Sequence, residues 1–259
     1  MKSIKYVPSD EVLKKSLELR DDYNKFVRNI HIDTSLLSEK RFKVSEKYLK
    51  GRGLEIGAFH APTPFIDGCE ADYMDQMSID DIKKRFPEFE DHYCVYPNII
   101  DNGEVLGKIK DNIYDFLIAN HMIEHTENVF KTIQNHLRVL KKDGILYYAI
   151  PDKRFTFDKN RDLTTYEHLK TEYLYGSENF RYEHFLDVAI NISNLKGEEA
   201  IEVAKKYSED GLDTHFHVWT SETFIDHMQS AINDKILNVE ILEHTHEMDF
   251  ESITVLKKL

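Results

Sequence analysis

The sequence holds 259 residues, which at a prior of roughly 150 residues per domain is room for one large domain or two small ones. Hydrophobic residues at 41% exclude a disordered chain, and no apolar run reaches the ~18 residues that a membrane span needs. The 34 Lys+Arg against 47 Asp+Glu leave a formal charge of -13, which repels a phosphate backbone; with no basic patch beyond Lys257-Lys258, nucleic acid is not expected as the main ligand.

Residues 1–50 read as a polar helical segment. SDEVLKKSLELRDDYNKFV opens at an N-cap-like Ser9 or Asp10 and repeats Val12, Leu13, Leu17 and Leu19 at helix-like spacing. SEKRFKVSEKYL predicts a second helix up to Lys50. The texture then changes. GLEIGAF (53–59) predicts a buried parallel strand running into a tight turn, EADYMD (70–75) a second strand, SIDDIKKRF a helix and HYCVYP (92–97) a third strand. YDFLIAN (114–120), NVFKTIQNHLRVL (128–140) and GILYYAIP (144–151) give strand, amphipathic helix and strand. That βαβ unit makes the sheet parallel, with a right-handed crossover. Residues 152–214 break the rhythm with charges, aromatics and histidines, and read as an insertion over one end of the sheet. TSETFIDHMQSAI (220–232) predicts a helix, and VEILEHTHEM (239–248) with ESITVLKK (251–258) a closing hairpin. There are no repeats and no Pro/Gly-rich linker. One elaborated α/β domain over 51–259, preceded by the helical segment, is the economical reading.

In a doubly wound sheet the ligand lies at the carboxyl ends of the strands, where the strand order reverses. The first strand ends Leu54-Glu55-Ile56-Gly57-Ala58-Phe59-His60, and Gly57 admits a ligand close to the backbone because no Cβ intrudes. Asp75 ends the second strand, where a carboxylate suits the two hydroxyls of a ribose. A tight turn and a solvated Asp explain these two residues equally well. The G-x-G-x-x-G fingerprint of nicotinamide enzymes is absent, which argues against a dehydrogenase.

Taken in order and spacing, GLEIGAF, ADYMD, YDFLIANHMIEH, LRVLKKDGILYYAIPD and HFHVWT resemble the class I S-adenosylmethionine-dependent methyltransferases. More narrowly, they resemble the methyltransferases of bacterial surface-polysaccharide and capsule biosynthesis, which include nucleotide-heptose O-methyltransferases. The resemblance covers about residues 50–259. It implies a Rossmann-like, seven-stranded sheet with a reversed last strand, S-adenosylmethionine as cofactor, and a nucleotide-linked sugar or saccharide as acceptor. By position it implies that Glu55, Gly57 and Ala58 line the methionine part, with Glu55 near the ammonium group. It further implies that Asp75 takes the ribose hydroxyls, that Asp101 sits by the adenine amino group, and that Asn120 and His121 close the pocket. Phe59-His60-Ala61-Pro62 depart from the family's usual loop glycines.

Methyl transfer to an alcohol is an in-line displacement that needs a positioned base or an acidifying divalent metal. His121, directly after the fourth strand, and Asp152, after the fifth, are the candidate bases. His215 and His217 flank Phe216 at a spacing that turns both imidazoles to one side of an extended segment. With Asp152 and His184 they are the candidate metal ligands. A site without thiolates suits Fe(II), Mn(II) or Zn(II) above Mg(II). Metal or catalytic duty for His215 and His217 stands level with packing. Glu124 and His125 read as structural, with Glu124 capping a helix or pairing with a neighbour. His136 reads as a surface or boundary residue, His244 and His246 as alternating edge-strand residues, and Trp219 as core. Lys153 and Arg154 suit either a substrate diphosphate or a surface salt bridge.

Cys69 and Cys94, the only cysteines, make neither a thiolate metal site nor a disulfide framework and fit a reducing compartment. The first twenty residues lack an apolar h-region, so a cytoplasmic location is expected. A homo-oligomer is compatible with everything above. The leading function is O-methylation of a sugar hydroxyl, metal-assisted or not. A methyltransferase for another small-molecule, lipid or protein acceptor comes second, and a noncatalytic domain of the same fold third.

Overall fold

The computed structural model describes residues 36–85, 94–245 and 250–259. Among them seven strands form one mixed sheet: β1 (Arg52–Ile56), β2 (Glu70–Asp75), β3 (Ile99–Ile100), β4 (Tyr114–Asn120), β5 (Leu140–Pro151), β6 (Val239–His244) and β7 (Glu251–Lys258). Their order is β3-β2-β1-β4-β5-β7-β6. β2 and β4 each pair with β1 in parallel, β3 pairs with β2 in parallel, and the last strand is antiparallel. The fold is the Rossmann-like α/β architecture expected above. The helices are α1 (Leu36–Tyr48), α2 (Ile79–Arg85), α3 (Val129–Val139), α4 (Tyr166–Tyr175), α5 (Arg181–Asn191), α6 (Gly197–Asp210) and α7 (Ser221–Asn233). None of the described helices is long and apolar enough to cross a membrane. The helix expected from Ser9 or Asp10 lies outside the described residues, as does His246.

The described chain divides into two compact units. One comprises the residues up to Asn120 together with 135–148 and 255–259; the other comprises 121–134 and 149–254.

The first unit holds the parallel strands. Leu54 and Ile56 of β1, Tyr73 and Met74 of β2, and Phe116, Leu117 and Ile118 of β4 are all buried, the pattern of strands covered on both faces. At Gly53 a Cβ would sit 2.0 Å from the Phe116 ring, so only glycine admits that ring against β1. The strand order reverses between β1 and β4, both in this unit, which sets the ligand end at Ile56-Gly57 and Asn120. The third strand is the two residues Ile99–Ile100; of the expected HYCVYP, residues 94–97 form no strand and His92 and Tyr93 lie outside the described residues. Val95 N donates instead to Phe59 O, and Asn98 Oδ1 accepts from Tyr73 N, so pairing with β2 begins only at Met74 opposite Ile99. His136 also departs from expectation. It is fully buried, with Nδ1 2.7 Å from Tyr148 Oη and Nε2 2.8 Å from Gly103 O.

The second unit includes residues 152–214, which hold α4, α5 and α6. Phe185 and Ala189 of α5, Ala200 and Ala204 of α6, and Phe216 form an apolar core of its own. Thr165 caps α4 by accepting from His168 N, and Thr220 with Thr223 forms a capping box at α7. Both caps fix where histidine-bearing segments begin.

Candidate functional site

In the first unit, the turn after β1 is built to leave acceptors open. Glu55 is buried; its Oε1 accepts from Thr63 N at 2.8 Å, while Oε2 has no hydrogen-bond partner. Burial pushes its carboxyl up to about 7, against the hydrogen bonds of Thr63 and the charge of Arg41. Asn120, at the end of β4, donates Nδ2 to Thr63 Oγ1 at 2.7 Å and leaves a buried Oδ1 unsatisfied. Thr63 thus anchors two side chains that each keep one idle acceptor. Such groups cost ~1–3 kcal/mol each when left unpaired, which points to a donor-rich ligand. Gly57 is left-handed (φ +67°), its N donates to Met74 O, and a Cβ built on it would meet nothing within 4 Å. The space beside it is open.

Asp75 ends β2, with Oδ1 accepting from Met77 N at 3.2 Å. Burial raises its carboxyl above the ordinary range. Asp101 is tied back to β2, its N donating to Asp75 O. Its oxygens accept from Asn102 N and Lys108 N, so its carboxylate shapes its own loop. Ala58 lies half-buried after Gly57. These residues fit the cofactor that the sequence resemblance implies: the orphaned Glu55 Oε2 suits an ammonium group, and the open face of Gly57 suits an uncharged chain.

The second unit gathers its histidines around carboxylates. His121 adopts φ +48°, rare for a residue with a Cβ, and its N donates to Ala149 O. Its Nε2 lies 2.7 Å from Glu251 Oε2, and the ring stacks on Phe250 at 5.2 Å. Glu124 does not cap, and the neighbours it pairs with are imidazoles. The turn Ile123–His125 has no side-chain cap, and both buried Glu124 oxygens lack hydrogen-bond partners. Oε1 lies 3.7 Å from His121 Nδ1 and 3.9 Å from His215 Nε2. His215 Nδ1 is held at 2.6 Å by Asp158 Oδ2, whose other oxygen accepts from buried Arg161 at 2.8 Å. Burial opposes it, but His215 and Arg161 hold the Asp158 carboxyl below the usual range. His125 Nδ1 meets Asp213 at 2.8 Å; burial works against its proton, yet Asp213 and Glu124 raise its affinity for one.

His217 goes elsewhere. The expected pairing of His215 and His217 fails because each imidazole turns to a different carboxylate. His217 Nε2 lies 3.3 Å from Glu172 Oε2. Glu172 Oε1 in turn lies 2.7 Å from His184 Nε2 and 3.1 Å from His168 Nε2. The Trp219 indole stacks on His217 at 6.1 Å and 15°.

Asp152 joins neither group. Its Oδ1 accepts from the backbone N and Nε of Arg154, and its Oδ2 from Arg154 Nη2 and Ser221 N. Burial opposes, but these donors hold its carboxyl below the ordinary range, which makes it a poor base and removes it from the ligand set. Arg154 also reaches Glu222 at 2.9 Å, so it is the salt bridge rather than a free diphosphate contact. His244 of β6 bonds Ser221 Oγ and Thr254 Oγ1 at 2.9 Å each, and serves local structure. Sequence reasoning missed Glu251, Asp158, His168 and Glu172. The one local signal was the four-residue spacing of His168 and Glu172, one helical turn apart on the same face.

A family model described as a methyltransferase domain matches residues 76–148. No curated protein matches. Among solved structures the chain is similar to a SAM-dependent methyltransferase from Aquifex aeolicus at TM-score 0.46 and 9% identity, covering 91% of this chain and 98% of that one. It is similar to a SAM-dependent methyltransferase of Thermotoga maritima at TM-score 0.42 and 14% identity, with 92% and 98% covered. The CurJ carbon methyltransferase matches at TM-score 0.42 and 13% identity over 80% of this chain, which spans only 48% of that protein.

Proposed function

We propose that the chain is an S-adenosylmethionine-dependent methyltransferase whose first unit binds the cofactor through Glu55, Gly57, Ala58, Asp75 and Asn120, a reading supported by the methyltransferase-domain match over residues 76–148. The observation that carries this reading is the pair of buried acceptors without donors, Glu55 Oε2 and Asn120 Oδ1, both fastened to Thr63. An ammonium group brings three donors and a positive charge to such a place. Asp75 accepts from the ribose hydroxyls, and Gly57 leaves room for the chain between. When bound, S-adenosylmethionine supplies a sulfonium methyl group for transfer. Asp101 contributes loop shape before any contact with adenine. Titration calorimetry tests the assignment. Asp75→Ala is expected to weaken S-adenosylmethionine binding by ~1.5–3 kcal/mol, and NAD to give no binding. Unchanged affinity in both Asp75→Ala and Glu55→Gln retires it.

For the acceptor we infer a sugar hydroxyl, on a nucleotide-linked heptose or a related capsule precursor. The sequence resemblance supports the acceptor class, and His121 supports the chemistry. Backed by the Glu251 carboxylate, the His121 imidazole takes the hydroxyl proton while Glu251 stabilises the imidazolium. Mass spectrometry of nucleotide-heptoses incubated with enzyme and cofactor is expected to show a gain of one methyl group. Transfer to protein or lipid in its place assigns a different acceptor.

A further inference from the structure

We propose that His168, Glu172, His184 and His217 form a closed site for one divalent transition-metal ion, with zinc as the best match. The proposal stands on the second unit alone and does not rest on the methyl-transfer reading. The four side chains come from three places: one face of α4 supplies His168 and Glu172, α5 supplies His184, and the extended segment before α7 supplies His217. Their potential ligand atoms all lie within 4.8 Å of one another.

The proton count is what hydrogen bonding alone does not explain. Three Nε2 atoms converge on one carboxylate, and His168 Nε2 and His184 Nε2 face each other at 3.3 Å while both approach Glu172 Oε1. If both carry protons, the protons crowd each other; if only one does, the other nitrogen faces a carboxylate oxygen lone pair to lone pair. His217 Nε2 and Glu172 Oε2 are buried with no hydrogen-bond partner, although 3.3 Å apart. A cation at the centre turns all of these lone pairs into ligands at once.

The spacing agrees. Zinc–nitrogen and zinc–oxygen bonds of about 2.0–2.1 Å in a tetrahedron set neighbouring ligand atoms about 3.3 Å apart. Here the His168–His184 and His217–Glu172 separations are 3.3 Å and His168–Glu172 is 3.1 Å, while His184–Glu172 at 2.7 Å is a hydrogen-bond distance that the ion would have to part. Glu172, His184 and His217 are buried, and the rings of Phe180, Phe216 and Trp219 flank the imidazoles. Three imidazoles and one carboxylate fill a tetrahedral shell without an open position, the form of a structural rather than a catalytic zinc site. The ion would tie α4, α5 and the segment entering α7 together.

The test uses the full chain, stripped by a chelator and then given Zn2+, Co2+ or Mg2+. Elemental analysis is expected to find one zinc per chain. Zn2+ is expected to raise Tm by about 5 °C or more, with no rise from Mg2+. Co2+ is expected to give the intense visible bands of a tetrahedral ion. His217→Ala and the isosteric Glu172→Gln should lose the bound ion. His125→Ala, in the separate group of Glu124, His125 and His215, should keep it. No stoichiometric zinc in wild type overturns the proposal, as does an octahedral cobalt spectrum. So does loss of the ion in His125→Ala with retention in His217→Ala. If His217→Ala fails to fold, Glu172→Gln decides.

Discussion

His121 Nε2 sits 2.7 Å from Oε2 of Glu251, a carboxylate with no exposed surface, while the imidazole itself is about a quarter exposed. A buried charge held against one ring nitrogen fixes the ring's orientation and leaves Nδ1 as the atom on the Glu124 side. A positioned base contributes ~10²–10⁴-fold, so His121→Ala is expected to lower kcat by at least ~10²-fold. Glu251→Gln keeps the shape, removes the charge, and should fall between wild type and that variant. Cofactor affinity should move little in either. Near-normal kcat with collapsed affinity would place His121 in the binding pocket instead.

The proposed contact between Glu55 and the cofactor's ammonium group gives binding a pH dependence. The Glu55 carboxyl is raised to about 7, so below that pH it is neutral, and pairing with an ammonium group requires it to lose a proton. Affinity for S-adenosylmethionine is therefore expected to fall as pH drops through about 7. Calorimetry at about pH 6 in buffers of different ionisation heat should detect release of close to one proton on binding. Glu55→Gln should bind more weakly and release none. A flat affinity from about pH 6 to 8 in wild type contradicts the ion pair.

Asp152 is expected to act on stability. Its two oxygens take four donors from Arg154 and Ser221, so Asp152→Ala strands the buried Ser221 N–H and releases the exposed Arg154, and should cost ~1–3 kcal/mol. Urea midpoints measure that loss. Turnover per folded molecule should stay close to wild type, and a kcat loss of ~10²-fold at unchanged stability would restore the base assignment.

His136 makes the fold acid-sensitive. Burial lowers its folded-state pKa from 6.5 to about 4, so between those values the unfolded chain binds the extra proton. The contribution is present above about pH 6.5 and is lost as pH falls towards about 4. It amounts to ~3 kcal/mol at most. His136→Gln should lower stability near pH 7.5 yet flatten its decline on acidification, read from urea unfolding at several pH values. An unchanged slope would assign the acid sensitivity elsewhere.

Runs with a clear period were legible in the sequence itself. EADYMD and YDFLIAN became β2 and β4 residue for residue, the second because an apolar run of that length suits a strand covered on both faces. The third strand slipped because Val95 pairs with the loop at Phe59 rather than with a neighbouring strand, a contact no local pattern announces. The positions of Glu55, Gly57 and Asn120 at strand ends were legible because the strands that carry them were, and their role toward a cofactor is the proposal made above. The histidine groups were not legible. His217 reaches Glu172 across 45 residues, and Glu251 reaches His121 across 130, so only folding reveals which carboxylate each ring meets. His136 was misread for a similar reason: its helix shows a polar position, and the partners that make burial tolerable, Tyr148 and Gly103, lie on other elements.

Trp219 is the single tryptophan of the chain, fully buried and stacked on the imidazole of His217. Excited selectively, its fluorescence therefore originates at one known position, in the second unit only. An indole so shielded emits toward the blue, and a proton or a paramagnetic ion arriving on the adjacent ring quenches it. Loss of packing in the second unit would shift the emission red, whereas the 14 tyrosines report from along the sequence at shorter wavelength. The fold thus carries its own optical gauge, readable without a label, for whatever occupies the imidazole beneath the indole.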